Sequence, residues 1–402
     1  MIRAYQYYID SFRGLSNEIW LLALISLVNR AGTMVLPFLS IYLTDQLGFG
    51  FREAGIAMSV FGIGSLIGTY LGGKLADISG YYEAMFWSLI TGGLMFFAFL
   101  WASSFIMVCL VILLAASFGE AYRPAMMASI AIYSKDENRT RSIALIRLAI
   151  NLGYALGPAI GGLLAAGVGY NSLFIIDGMT CLMAGFLLKA TLKEKSKSSQ
   201  AKENEKVLPD ELPPWRDREY IVFLIACTLC ALVFMQLFYT APVYFKNNLS
   251  LDEDIIGILL AVNAFIIAVI EMPIIRSLEN RWNPVILITF GCALFALSYL
   301  FMAPWQLITT AIVYIIFITF GEIFSFPYAN QLAMELSQKR RAEYLAYFSM
   351  SFSIAHILAP SLGLSIAESM GFSFLWGASG ILSLFVCVLF YFSGSKLLAR
   401  RK

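Results

Sequence analysis

The chain has 402 residues, of which 59% are hydrophobic and only 13% charged, about half the charged share of a soluble domain. That composition excludes a soluble globular protein of this length, and a net charge of +2 is no argument for nucleic acid as a partner.

Met1 to Asn17 is polar and the first apolar run is long enough to remain as a helix, so no cleavable leader is predicted. Apolar stretches near the roughly 20 residues that cross a bilayer follow at 19–43, 53–73, 83–103, 106–131, 140–166 and 172–190. Residues 193–217, with Lys193-Glu194-Lys195 and Pro209 to Pro214, read as a solvated linker. Six further stretches lie at 220–245, 255–277, 284–302, 307–331, 342–366 and 373–394. The expectation is an all-α membrane protein with twelve transmembrane helices: a six-helix bundle over 1–190, a cytoplasmic linker over 191–218 and a second bundle over 219–402. The cysteines sit in apolar spans, and Cys227-x-x-Cys230, in mid-helix, reads as small-residue packing.

The chain repeats itself at an offset of 202 residues. Phe118-Gly119-Glu120 recurs as Phe320-Gly321-Glu322, Pro158 as Pro360, Tyr42 as Tyr244, and Asp77 as Glu279. In transporters built from repeats, substrate and coupling ions bind near the bilayer midplane between the halves, so a duplicated glutamate inside apolar helices is the first functional suspect. Of the 28 Lys and Arg, 23 fall on the side of the termini and linker, two on the other side, and Arg30, Arg123 and Arg147 within spans. By the positive-inside bias both termini are cytoplasmic.

After the second span comes Gly72-Gly73-Lys74-Leu75-Ala76-Asp77, and in the fifth Gly153-Tyr154-Ala155-Leu156-Gly157-Pro158-Ala159-Ile160-Gly161-Gly162. These resemble the Gly-x-Leu-Ala-Asp signature of the major facilitator superfamily and the Gly-x-x-x-Gly-Pro-x-x-Gly-Gly signature of its drug:proton antiporters. The resemblance covers essentially the whole chain and implies the major facilitator fold, two pseudo-symmetric six-helix bundles working by alternating access. Ile78, Ser79, Tyr81 and Tyr82 stand where the first signature usually turns basic, and Ala115 stands where the family places an arginine in helix four.

Physical readings run beside the resemblance. Asp77, and Glu279 in the other half, can latch the cytoplasmic side by accepting backbone N–H groups at a helix start, with Gly73 beside the first. Gly153, Gly157 and Gly161 recur on one helix face and allow close approach, while Pro158 can bend the helix; packing alone also explains them. Gly68-x-x-x-x-Gly73-Lys74 mimics a phosphate loop, but Leu75 replaces the magnesium-binding hydroxyl, which excludes an ATP-driven reading.

Charges at membrane depth cost about 2.5–3.5 kcal/mol each and need partners. Arg30 and Glu120 lie about eleven residues from the cytoplasmic ends of their helices, near 16 Å deep at about 1.5 Å per residue, so they can meet. The resemblance implies that helices one, four, seven and ten line the cavity, which places Arg30, Glu120, Gln236, Tyr239 and Glu322 around it. An arginine that moves relative to a buried carboxylate can switch it between proton uptake and release; a permanent ion pair is the alternative. Arg123 stands one turn from Glu120, and Arg147 and Asn151 share a face with Tyr154. His356, the single histidine, is a proton relay or a packing residue. Asp177 is expensive to bury and reads as structural.

The expected function is a proton-coupled antiporter of the cytoplasmic (inner) membrane that exports small amphiphilic compounds. A proton-coupled importer of a sugar, peptide or carboxylate is the alternative, and a non-transporting sensor or lipid scramblase on the same scaffold is the alternative of another class. The expected partners are a small-molecule substrate, protons and the lipid bilayer, with no cofactor, metal or nucleic acid, and the chain is expected to be a monomer.

Overall fold

The computed structural model describes residues 14–134, 138–195, 213–278, 281–305, 307–335 and 341–399, and among them the ordered elements are helices, with no strand. The first span is built from α1 (Asn17–Ala31) and α2 (Val35–Ile41), then come α3 (Phe51–Ile78) and α4 (Tyr81–Ala98). The fourth span is α5 (Phe105–Glu120) followed by α6 (Tyr122–Tyr133), and α7 (Arg139–Gly167) and α8 (Asn171–Thr191) complete the first half. The second half holds α9 (Arg218–Tyr239), α10 (Ala241–Asn247), α11 (Glu253–Leu278), α12 (Pro284–Met302), α13 (Ile308–Glu335), α14 (Arg341–Met370) and α15 (Phe372–Ala399). Together they give the expected twelve apolar spans, each of 19 to 30 residues.

Local chemistry sets the starts. Ser16, Ser104, Asp217 and Asn283 cap α1, α5, α9 and α12 by accepting the N–H of Ile19, Met107, Tyr220 and Val285, satisfying donors that a helix start leaves open. The 202-residue repeat reaches the backbone itself. Gly169 (φ 104°) and Gly371 (φ 84°) make matching turns into α8 and α15, and Gly48 (φ 68°) is matched by Ser250 (φ 52°). Positive φ is open to glycine and rare for serine.

Packing repeats as well: α1 lies on α7 as α9 lies on α14, and α4 on α8 as α12 on α15. Two compact units result, one from the described residues within Met1–Phe38, Ile63–Gln200 and Glu253–Ala268, the other from those within Leu39–Gly62, Ala201–Asp252 and Val269–Lys402. The sequence halves therefore exchange segments. In the first unit, the start of α11 packs on α7: Gly257 meets the Pro158 carbonyl and Gly162, Gly162 meets Glu253, and the buried Tyr170 hydroxyl donates to Glu253 Oε1 at 2.7 Å. In the second unit, the start of α3 packs on α14 at the repeat-related places. A Cβ on Gly55 would lie 2.7 Å from the Pro360 carbonyl oxygen, and Phe51 meets Phe372 edge to face at 5.6 Å.

A charged cluster at the break in the first span

The first span breaks between Ala31 and Val35, just ahead of Pro37. Pro37 has no N–H for the Thr33 carbonyl and its ring crowds that oxygen. The chain answers with a tight turn in which the Thr33 N–H donates to the Arg30 carbonyl at 3.1 Å and the Met34 N–H to that of Gly32 at 2.7 Å. Arg30 closes the last turn of α1, where the carbonyl end of a helix favours a cation.

Glu120 is the last residue of α5, before the span resumes as α6. Arg30 Nη1 stands 3.6 Å from Glu120 Oε1, with the two side chains 10% and 23% exposed. At that separation and an effective dielectric near 20, the attraction is about 4 kcal/mol, yet the atoms are too far apart for a direct hydrogen bond. The pair is held by charge. Arg30 also lies over the Tyr154 ring, 5.6 Å from its centre, a cation–π contact, and Tyr122 shares a hydrogen bond with Ser26 across the same helices at 3.2 Å.

The glycines of the fifth span explain how α7 comes so close. A Cβ on Gly153 would stand 2.6 Å from Arg30 Cβ; on Gly157, 3.1 Å from the Thr33 carbonyl oxygen; and on Gly161, 2.7 Å from Met34 Cβ. One glycine face thus seats the break and its arginine. The other face, with Pro158 and Gly162, seats the start of α11.

The remaining candidates are placed as follows. Arg123 and Arg147 are exposed, and Asn151 is half-buried. In the second unit, Tyr239 is fully buried and its hydroxyl shares a 2.8 Å hydrogen bond with His356 Nδ1. Gln236, 2% exposed, donates through Nε2 to the Ala359 carbonyl at 3.1 Å and accepts from the Thr240 hydroxyl. Both face the α9–α14 contact inside this unit. Glu322 is half-buried on α13, Asp77 is exposed near the end of α3, Gly73 has open space beside it, and Glu279 lies outside the described residues. Asp177, read from the sequence as structural, is set by the fold against the break in the first span, with Thr180 beside it.

A family model described as Major Facilitator Superfamily matches residues 19–342. The chain belongs to the Major Facilitator Superfamily. It is a multi-pass membrane transporter, not an enzyme. This facilitator is similar to a Na(+), Li(+), K(+)/H(+) antiporter of Planococcus maritimus, 27% identical over 398 residues covering 89% of this chain and 92% of that one. It is also similar to the quinolone resistance protein NorA of Staphylococcus aureus (strain MRSA252), 26% identical over 227 residues, 56% of this chain and 58% of that one. Among solved structures, a peptide transporter POT in complex with sulfate shares the fold, with a TM-score of 0.79 at 15% identity over 96% of each chain.

Proposed function

We propose that this facilitator is a proton-coupled antiporter in which Glu120 carries the proton and Arg30 drives it off. The observation that carries the reading is the Arg30–Glu120 separation of 3.6 Å at the break in the first span. In the proposed cycle the approach of the guanidinium displaces the proton from Glu120, and its withdrawal lets a proton bind there. Small amphiphilic compounds are the cargo of the first reading, supported by the fifth-span glycine signature and the similarity to NorA. Alkali cations are the second, favoured by the similarity to the Planococcus maritimus antiporter, which extends over most of both chains. In either case the protein works as a monomer in the cytoplasmic membrane with both termini inside.

The test uses inverted vesicles with an acid interior and a pH-sensitive dye. Addition of ethidium or of sodium chloride should release protons from vesicles that carry the wild type, and Glu120→Gln should abolish that flux while cargo binding persists. Gln keeps the shape and the hydrogen bonding but has no proton to exchange. Flux through Glu120→Gln equal to wild type would refute the assignment.

A further inference from the structure

Asp177 stands in the middle of α8, 2% exposed. Its Oδ1 accepts weakly from the Cys181 thiol at 3.9 Å, while Oδ2 is buried with no hydrogen-bond partner. An unmatched carboxylate oxygen inside a membrane protein is expensive to keep, and this one faces a specific place. Oδ1 lies 3.4 Å from where a Cβ on Gly32 would stand, and the backbone N–H groups of Val35 and Met34 are directed at the carboxylate. The break in the first span is therefore its neighbour.

Other oxygens converge on the same turn. The Thr180 hydroxyl, one turn beyond Asp177, occupies the volume that any side chain at position 32 would need. Its hydrogen is committed to the Asp177 carbonyl at 2.9 Å, so its oxygen meets the break as an acceptor. The Thr33 carbonyl has lost its helical donor to Pro37. Capping the restart of the span accounts for the carboxylate lying near Met34 and Val35; it does not account for Oδ2.

We propose that the break in the first span is an alkali-cation site, with Asp177 Oδ2 and Thr180 Oγ1 as side-chain ligands and freed backbone carbonyls of the turn completing the shell. One carboxylate with neutral hard oxygens matches the single charge of Na+, Li+ or K+, whereas Ca2+ takes more oxygens and usually more carboxylates, and transition metals favour imidazole or thiolate. The assignment rests on the alkali-cation reading of the function and names where that cargo binds.

The experiment uses full-length protein in lipid nanodiscs and follows the thermal unfolding midpoint in sodium, lithium or potassium chloride against choline chloride at equal ionic strength. A bound cation raises the midpoint by mass action, by ~2–4 °C at saturating salt. Asp177→Asn should remove the difference between alkali and choline salts, Thr180→Val should raise the half-saturating concentration ~10-fold, and Glu120→Gln should keep the difference. An Asp177→Asn protein that responds to sodium like wild type would overturn the site, as would a wild type that does not distinguish sodium from choline. If Asp177→Asn does not fold, an unchanged half-saturation in Thr180→Val overturns it equally. Proton-coupled ethidium export without any alkali effect would sink the site and leave the antiport reading standing; an alkali effect lost in Asp177→Asn, in a protein that moves no protons, would do the reverse.

Discussion

The contact of α1 with α7 and that of α9 with α14 are the same interface at a 202-residue offset, built with opposite chemistry. Where the first has Arg30, Met34 and Phe38, the second has Leu232, Gln236 and Thr240; Tyr154 is matched by His356, and Asp177 by Ser379. The first contact sets a buried arginine beside the Glu120 carboxylate and seats it with bare glycine backbone. The second closes with neutral hydrogen bonds, Gln236 to the Ala359 carbonyl and Tyr239 to His356, and Gly363 leaves room for the Gln236 side chain. Duplication supplied the scaffold, and divergence concentrated the charge in one copy. A cluster of charged groups changes energy when an ion enters or leaves beside it, whereas a satisfied neutral network does not. In this reading the first contact is the one that couples and the second the one that holds.

The largest test makes the first contact resemble the second. Arg30→Leu installs the residue of the repeat position but leaves the Glu120 carboxylate without its cation, and removing one partner of a buried pair costs about 3–5 kcal/mol. Unfolding in micelles should show a loss of that order, with most of it recovered in Arg30→Leu/Glu120→Leu. Losses that simply add would mean that the two residues are not coupled, and the contrast between the interfaces would lose its electrostatic basis.

A steric test sharpens the same comparison. Position 153 is glycine and its repeat partner is Ala355, buried with its methyl group accommodated. In the first contact a Cβ would stand 2.6 Å from Arg30 Cβ and 2.9 Å from the Ala31 nitrogen, and neither atom can swing away. Gly153→Val should therefore destabilise by about 1–3 kcal/mol through overpacking, while Ala355→Gly should cost about 1 kcal/mol through backbone freedom. Equal melting curves for Gly153→Val and wild type would show that the close approach at Arg30 is not required.

Much of this was legible beforehand, and the reason differs by feature. The twelve spans could be read because each is an uninterrupted apolar run of bilayer length, and the predicted 284–302 coincides with α12. The nearness of Arg30 and Glu120 followed from counting residues to a common depth, which needs only the helical rise. What could not be counted was rotation about the helix axis. In spans apolar on every face, hydropathy does not say which side meets which neighbour, so Gln236 and Tyr239 were expected at the cavity and lie inside the α9–α14 contact. For the same reason Asp177, read as structural, could not be placed against Gly32, toward which α8 turns it. The break itself had a signal, Pro37 four residues after Thr33, but its consequence appears only when the freed turn meets other helices.

The smallest effect probes the holding contact. Tyr239 is fully buried, and its hydroxyl and His356 Nδ1 are 2.8 Å apart, while the repeat position of Tyr239 is Pro37, which carries no side-chain polar group. The hydrogen bond is therefore peculiar to the second copy. Tyr239→Phe removes it without opening a cavity, and a neutral hydrogen bond contributes about 1 kcal/mol, so the stability loss should be near that figure. If the second contact only holds, proton flux per molecule in vesicles should stay at the wild-type rate and its pH profile should not move, because no charge has been added or removed. A shifted pH profile in Tyr239→Phe would place His356 among the groups that exchange protons, and the division between a coupling copy and a holding copy would fall.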